Sequence, residues 1–300
     1  VCAVAFASES QVIGGYGNGD IRRWSIEDGQ QLGQTVQAVG LVLSIAVSQD
    51  GRWVVSGDHG RQATIWNALT NEKVRHTEYG NSMYAVDISS NSTKVVAASF
   101  NTTDNVQLFD ITSGTELLSP ISHGWTCGVK FSPDGSQFAT ASNVCGVRVY
   151  STHNGSILFD SGTRGSTNSP SVVTSFTWSS DGQQLFVASA GKITSFNISD
   201  SSSSEWLIHG AQFPVSIASK RKFIACSACS SISLWDCMSH RQIGSIITHS
   251  TVVKCIALLP RGRFLACELL DGKITIHDLR EVLPSKCCGS GISEHPHHAA

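Results

Sequence analysis

The chain has 300 residues, 41% of them hydrophobic and only 15% charged, with 21 basic against 23 acidic side chains for a net charge of −2. That composition supports a sizeable buried core and excludes a disordered chain, while the near-neutral balance offers no basic stripe for nucleic acid or an anionic membrane. No apolar run approaches the roughly 18 residues that a membrane-spanning helix needs.

The opening run, Val1 to Phe6, has no basic leader and no spacer to a cleavage site, so it reads as a strand and not as a signal peptide. It also lacks an initiator Met, and residues upstream of Val1 are expected in a longer product. From there one phrase recurs: a short β-rich run, two or three apolar residues, an aromatic, and a polar turn. The aromatic anchors are Trp24, Trp66, Phe109, Tyr150, Phe196 and Trp235, with His277 in the last copy, at intervals of 42, 43, 41, 46, 39 and 42. A four-stranded propeller blade occupies about 40–45 residues.

The first copy holds Gly14-Gly15-Tyr16-Gly17-Asn18-Gly19 between its second and third strands. No helix follows these glycines, so they read as a tight turn and not as a phosphate cradle. In the fourth copy the division is clearest. Thr126 to Ser132 reads as the inner strand, and Pro133-Asp134-Gly135 as a hairpin turn, Pro presetting its backbone and Gly taking the positive φ. Gln137 to Ser142 reads as the second strand and Val147 to Tyr150 as the third. Asn154-Gly155 then turns the chain into a fourth, Ile157 to Phe159. The same turn recurs at Gln49-Asp50-Gly51, Ser180-Asp181-Gly182 and Arg261-Gly262, with Ser89-Ser90-Asn91 in the equivalent place. Asp160 to Ser171 and Ser201 to Ser204 read as solvated loops. No stretch shows a 3.6-residue apolar period over ten or more residues. Seven copies at this period predict an all-β, seven-bladed β-propeller of four-stranded antiparallel blades over residues 1–280. The Pro- and Gly-bearing residues 281–300 read as a disordered tail. A sandwich or another β-solenoid explains neither the period nor the aromatic in each third strand.

Ile65-Trp66-Asn67, Leu108-Phe109-Asp110, Leu234-Trp235-Asp236, Ile276-His277-Asp278 and Phe131-Ser132-Pro133-Asp134-Gly135 resemble the motifs of the WD40 repeat family, over about residues 1–280. The sequence style also resembles WD-repeat proteins of filamentous or mushroom-forming fungi, some of which sit behind a nucleotide-binding signalling module. The resemblance implies a buried His, Ser/Thr, Asp and Trp network in each blade, but the copies are worn. His209 and His249 match the His position, His123 lies one residue off, Tyr79 replaces it in the third copy, and only Asp271 matches the Asp. The family closes its ring by pairing the chain ends in one blade. Here the last blade is expected either to lack its outer strand or to borrow one from the tail, and a missing strand would leave an open edge.

The resemblance also implies a top face that docks other proteins, through residues near the start of each inner strand and in the turns between second and third strands. Carried over copy by copy, the contact positions are Leu41 and Leu43, Ser82 and Tyr84, Trp125 and Cys127, Val172 and Thr174, Gln212 and Pro214, and Val252 and Lys254. Tyr84 and Trp125 lead, since exposed aromatics most often dominate interfaces. His59, Arg61, Phe100 and Asn101 form an expected rim.

Catalytic signatures are missing: no G-x-S-x-G, phosphate loop, H-E-x-x-H or calcium loop occurs. Cys226-x-x-Cys229, with Cys237 and His240 beyond, looks like half a zinc site, but four ligands are needed and neighbouring strand residues face opposite ways. The ten cysteines, Cys2, Cys127, Cys145, Cys226, Cys229, Cys237, Cys255, Cys267, Cys287 and Cys288, mostly sit in apolar runs, as free buried thiols do in a reducing compartment. The tail cluster of His295, His297 and His298 with Cys287 and Cys288 reads as an adventitious metal trap at most. The sequence therefore predicts a cytoplasmic or nuclear, monomeric, non-catalytic interaction scaffold without cofactor or metal, its partners other proteins and neither nucleic acid nor membrane. A ligand- or carbohydrate-binding propeller and a propeller enzyme are the competing readings.

Overall fold

The computed structural model describes residues 3–164, 166, 175–189, 191–208, 215–220, 222–259 and 262–283. These build seven antiparallel sheets in chain order. The first has β1 (Ala3–Ser8), β2 (Gln11–Gly15), β3 (Asp20–Ser25) and β4 (Gln31–Gln37). The second has β5 (Val42–Val47), β6 (Trp53–Asp58), β7 (Gln62–Asn67) and β8 (Lys73–Glu78). The third has only β9 (Met83–Ile88), β10 (Lys94–Ser99) and β11 (Val106–Asp110), its outer position taken by the isolated bridges Val106–Ile121 and Phe109–Glu116. The fourth has β12 (Thr126–Phe131), β13 (Gln137–Ser142), β14 (Gly146–Ser151) and β15 (Ile157–Asp160). The fifth has β16 (Ser175–Trp178), β17 (Gln184–Ser189), β18 (Lys192–Asn197) and β19 (Ser203–Leu207). Ser203 and Ser204 are thus in a strand, and only the first half of that serine run is loop. The sixth has β20 (Val215–Lys220), β21 (Phe223–Ala228), β22 (Ser231–Asp236) and β23 (Gln242–Thr248). The seventh has β24 (Val253–Leu258), β25 (Phe264–Leu269) and β26 (Ile274–Asp278), three strands among the described residues. A single 3-10 turn, Leu279–Glu281, follows, and Leu279 and Leu283 bury themselves between blades six and seven.

The first strand of each sheet is the inner one. Each packs beside the next around the molecule, β1 by β5, β9, β12, β16, β20 and β24 in turn, and β24 returns to β1 to close the ring. Inner strands splay too far to pair as a sheet, so side chains bridge them. Ser44 Oγ accepts from Val86 N–H at 3.1 Å, Ser175 Oγ from Ile217 N–H at 3.1 Å and Ser216 Oγ from Ile256 N–H at 3.2 Å. In the third blade a carboxylate does the same work, Asp87 Oδ2 accepting from Phe131 N–H at 2.7 Å. Close approach between blades also demands small residues on the second strands. A Cβ on Gly15 would lie 2.4 Å from Val42 Cγ1, and one on Gly57 would lie 3.0 Å from the Met83 carbonyl oxygen.

Every anchor sits in a third strand, opposite an apolar second-strand residue: Val12 with Trp24, Val54 with Trp66, Val95 with Phe109, Phe138 with Tyr150, Leu185 with Phe196, Ile224 with Trp235, and Leu265 with His277. The hairpin turns between first and second strands repeat a single device. Ser48, Ser132 and Ser179 each donate to the Asp two residues on at 2.6 Å, and the following Gly51, Gly135 and Gly182 sit at φ of 70°, 73° and 71°. Ser89 donates to Asn91 at 2.8 Å, and there Ser92 takes the left-handed position at φ 59°.

Two measurements test this packing. Phe138 is fully buried, stacked on Tyr150 at 5.3 Å and edge-on to Phe131 at 6.3 Å. Phe138→Ala should destabilise the fold by about 3–5 kcal/mol in urea denaturation. Burial pushes the Asp87 carboxyl up to about 6, partly offset by nearby Lys130, so the folded state favours the protonated form. Stability from this group is complete below its unfolded value near 3.9 and is lost as pH rises through about 6. Asp87→Asn, which keeps the acceptor, should flatten the change in urea midpoint between about pH 4 and about pH 7.

Candidate functional site

One hydrogen bond recurs at the end of the blades where inner strands begin. The residue just after a second strand donates its N–H to the carbonyl just before the inner strand: His59 to Leu41 at 2.8 Å, Phe100 to Ser82 at 3.1 Å, Asn143 to Trp125 at 3.3 Å and Leu270 to Val252 at 2.8 Å. This places Leu41, Ser82, Trp125 and Val252 at equivalent points of one rim. Immediately inside it, four inner strands carry a β-bulge, and the extra residues are Leu43, Tyr84, Cys127 and Lys254. A bulge leaves one residue outside the ladder and re-aims its side chain. The bulged residues are the second member of each sequence-expected contact pair.

Among the described residues, blades three and four turn this frame into a patch of chemistry. Tyr84, on its bulge, stacks on Phe100 with centroids 4.7 Å apart and planes at 28°. Phe100 in turn lies 4.9 Å from Trp125, tilted by 60°. The three rings therefore form a continuous aromatic surface across the junction of the two blades. Tyr84 and Phe100 are half-buried, whereas Trp125 is 38% exposed. The Trp125 backbone is left-handed, φ 56°. That conformation is a genuine outlier for a bulky side chain. It is held by Trp125 N–H donating to the Asn101 carbonyl at 2.8 Å.

Polar side chains fix the loops beneath. Asn81 Nδ2 donates to the Phe100 carbonyl at 2.7 Å. Asn105 is fully buried and ties both loops together. Its Nδ2 donates to the carbonyls of Ser99, Asn101 and His123 at 3.3, 3.1 and 3.0 Å, while its Oδ1 accepts from His123 N–H at 3.0 Å. His123 Nδ1 is 2.7 Å from Thr140 Oγ1, and burial lowers its pKa to about 4, leaving a neutral imidazole in the scaffold. Asn105 was invisible in the sequence as a site residue, since it matches no repeat position. Its signal is an Asn directly before an apolar third strand.

The remaining expected residues lie elsewhere on the frame. Leu41 is half-buried on the blade-two rim, with His59 and Arg61 exposed beside it, Arg61 at φ 68°. Lys254 is half-buried on the bulge of blade seven, across the ring from the aromatic patch. Gln212, Pro214, Val172, Thr174 and His209 fall outside the described residues, as do Cys287, Cys288 and the tail histidines. The Cys226 to Cys237 region is core: both thiols pack with Ile224 and Trp235, and burial pushes each up to about 12, while Cys229 lies in a turn at φ 54°.

The family model for eukaryotic translation initiation factor eIF2A matches residues 3–163 of the chain. No curated protein matches it. The matched stretch runs from the first inner strand into blade four and contains the whole aromatic patch.

Proposed function

Because the chain belongs to the eukaryotic translation initiation factor eIF2A family, we propose that it is a non-catalytic docking propeller. Its WD40-type top face holds another protein against Tyr84, Phe100 and Trp125. The observation that carries this reading is Trp125, an exposed Trp in a left-handed backbone. Such strain costs on the order of 1–3 kcal/mol, and it persists where the surroundings over-determine it, most often at binding sites. Packing against Phe100 offsets part of that strain, and 38% of the residue still stands open to a partner. Aromatic residues in a preformed patch are the usual anchors of protein interfaces, because they bury area with little entropy to lose. The Asn81 and Asn101 amides flank the rings with polar, uncharged groups, as an interface rim requires.

The family name speaks of translation initiation. For this chain the part that fits such machinery is the grip on a protein component. A net charge of −2 gives no overall electrostatic pull toward an RNA backbone. Cys145, Cys226, Cys237 and Cys267 are free thiols, which suits a reducing, cytoplasmic or nuclear compartment. A ring that closes on itself needs no second copy.

Trp125→Gly separates binding from folding, because glycine relieves the left-handed backbone. In urea denaturation the relieved strain and the lost ring packing should largely offset, leaving stability within about 2 kcal/mol of the wild type. In a quantitative pull-down from the source cells, proteins retained by the wild type should drop by at least about tenfold with Trp125→Gly and with Tyr84→Ala. Equal retention by both folded variants would move the docking site off this patch.

A further inference from the structure

Blade seven carries a second cluster, unrelated to the aromatic patch. His249 follows β23, Cys267 lies in β25 and His277 lies in β26. Each offers one ligand atom, and the three atoms lie within 4.8 Å of one another. The two imidazole rings are 5.0 Å apart at 71°. Cys267 is fully buried at the edge of the core of blades six and seven, and the histidines are half-buried. Nε2 of His249 and Nε2 of His277 are both buried without a hydrogen-bond partner among the described residues. Native proteins leave few buried polar atoms in that state, and two in one cluster, beside a thiol, point to a ligand.

The repeat shows how the cluster arises. In blade four the corresponding positions are His123, Thr140 and Tyr150, and His123 Nδ1 lies 2.7 Å from Thr140 Oγ1. In blade two, Trp66 Nε1 donates to Ser56 Oγ at 2.9 Å in the same two strands. Blade seven puts Cys267 where those blades have a hydroxyl and His277 where they have Tyr or Trp. The substitution exchanges donor–acceptor pairs for two imidazoles and a thiol. These are the softer donors that transition metals select.

We propose that His249, Cys267 and His277 form a binding site for a zinc-type divalent cation, held by two imidazole nitrogens and one thiolate. Zinc takes this donor set, and three protein ligands leave its fourth tetrahedral position to solvent. Zn–N and Zn–S bonds of about 2.0–2.3 Å set ligand atoms roughly 3.3–3.6 Å apart, so the three side chains close by roughly 1 Å from their present separation. Burial, and for His277 also the neighbouring His249, lowers both imidazole pKa values and keeps the rings neutral, the form that binds metal. Burial pushes the Cys267 thiol up to about 12, and Thr275, its partner across β25 and β26, eases that shift. On binding, the Zn–S bond forms as the S–H bond breaks, the proton passes to solvent, and no oxidation state changes.

The test is titration of the chelator-treated full chain with Co²⁺, displaced afterwards by Zn²⁺. The expected result is one tetrahedral Co²⁺ per chain, with a thiolate-to-metal charge-transfer band that Zn²⁺ abolishes. Cys267→Ser and His277→Trp recreate the Ser56 and Trp66 pair of blade two, so both should fold. Each should weaken binding by at least about a hundredfold. A variant with His295, His297 and His298 all changed to Gln should bind as the wild type does. No charge-transfer band in the wild type, full binding by either blade-seven variant, or loss of binding in the tail variant alone would each overturn the site.

Discussion

The ring rests on a side-chain hydrogen bond that crosses from one inner strand to the next. Backbone pairing holds each blade together, but it stops at the blade's own edge, and the inner strands fan out from the centre. Ser44, Asp87, Ser175 and Ser216 close that gap by accepting an N–H of the following inner strand. The acceptor must be short, because the blades approach until a single Cβ on Gly15 or Gly57 would collide with the next blade. Asp87 is the largest of these acceptors, and it is the one whose protonation the fold perturbs. The closing seam breaks the pattern of small second-strand residues as well. Where the other blades have Gly15, Gly57, Ala98, Ala141, Ala188 or Ser227, blade seven has the fully buried Glu268, whose carboxyl bonds to the Ala3 backbone of blade one.

Rigid blades explain why the aromatic patch can exist. Tyr84 belongs to blade three and Trp125 to blade four, and Phe100 fills the space between them from the turn after β10. Were the two blades free to slide, the Tyr84–Phe100 and Phe100–Trp125 contacts would collapse inward and bury the Trp. Instead Asn105 ties the Phe100 loop to the His123 segment, and the Asn101 carbonyl holds the Trp125 amide. The strain at Trp125 is thus sustained by buried hydrogen bonds on both sides of the blade junction, and the ring it presents is preorganised.

What the sequence disclosed is what repeats locally. The Ser-x-Asp-Gly turns carry their own chemistry in four residues, and the third-strand aromatics recur at the blade period, so fold and blade number were legible. Phe100 could be placed only on a rim, because its contact with both Tyr84 and Trp125 depends on how two blades dock. Asn105 escaped because, four residues before Phe109, its place is taken in the other copies by Asp20, Gln62, Gly146, Lys192, Ser231 and Lys273, with no shared side chain to mark it. The bulges at Leu43, Tyr84, Cys127 and Lys254 are set by pairing register, which a one-dimensional pattern does not reveal.

His249, Cys267 and His277 show the same limit in sharper form. Each was noticed singly, as a worn repeat position, a buried thiol and a weak anchor. Only the shared strand register of blades two, four and seven shows that Cys267 stands where the others place a hydrogen-bonding hydroxyl and His277 where they place Trp or Tyr. A repeat architecture makes such a change tolerable. Leu265 packs against His277 as the other second strands pack against their anchors, and the six remaining blades keep their aromatics. A ring built from near-equivalent units can therefore spend one unit's polar network on a different chemistry while the lateral contacts of its neighbours hold the fold.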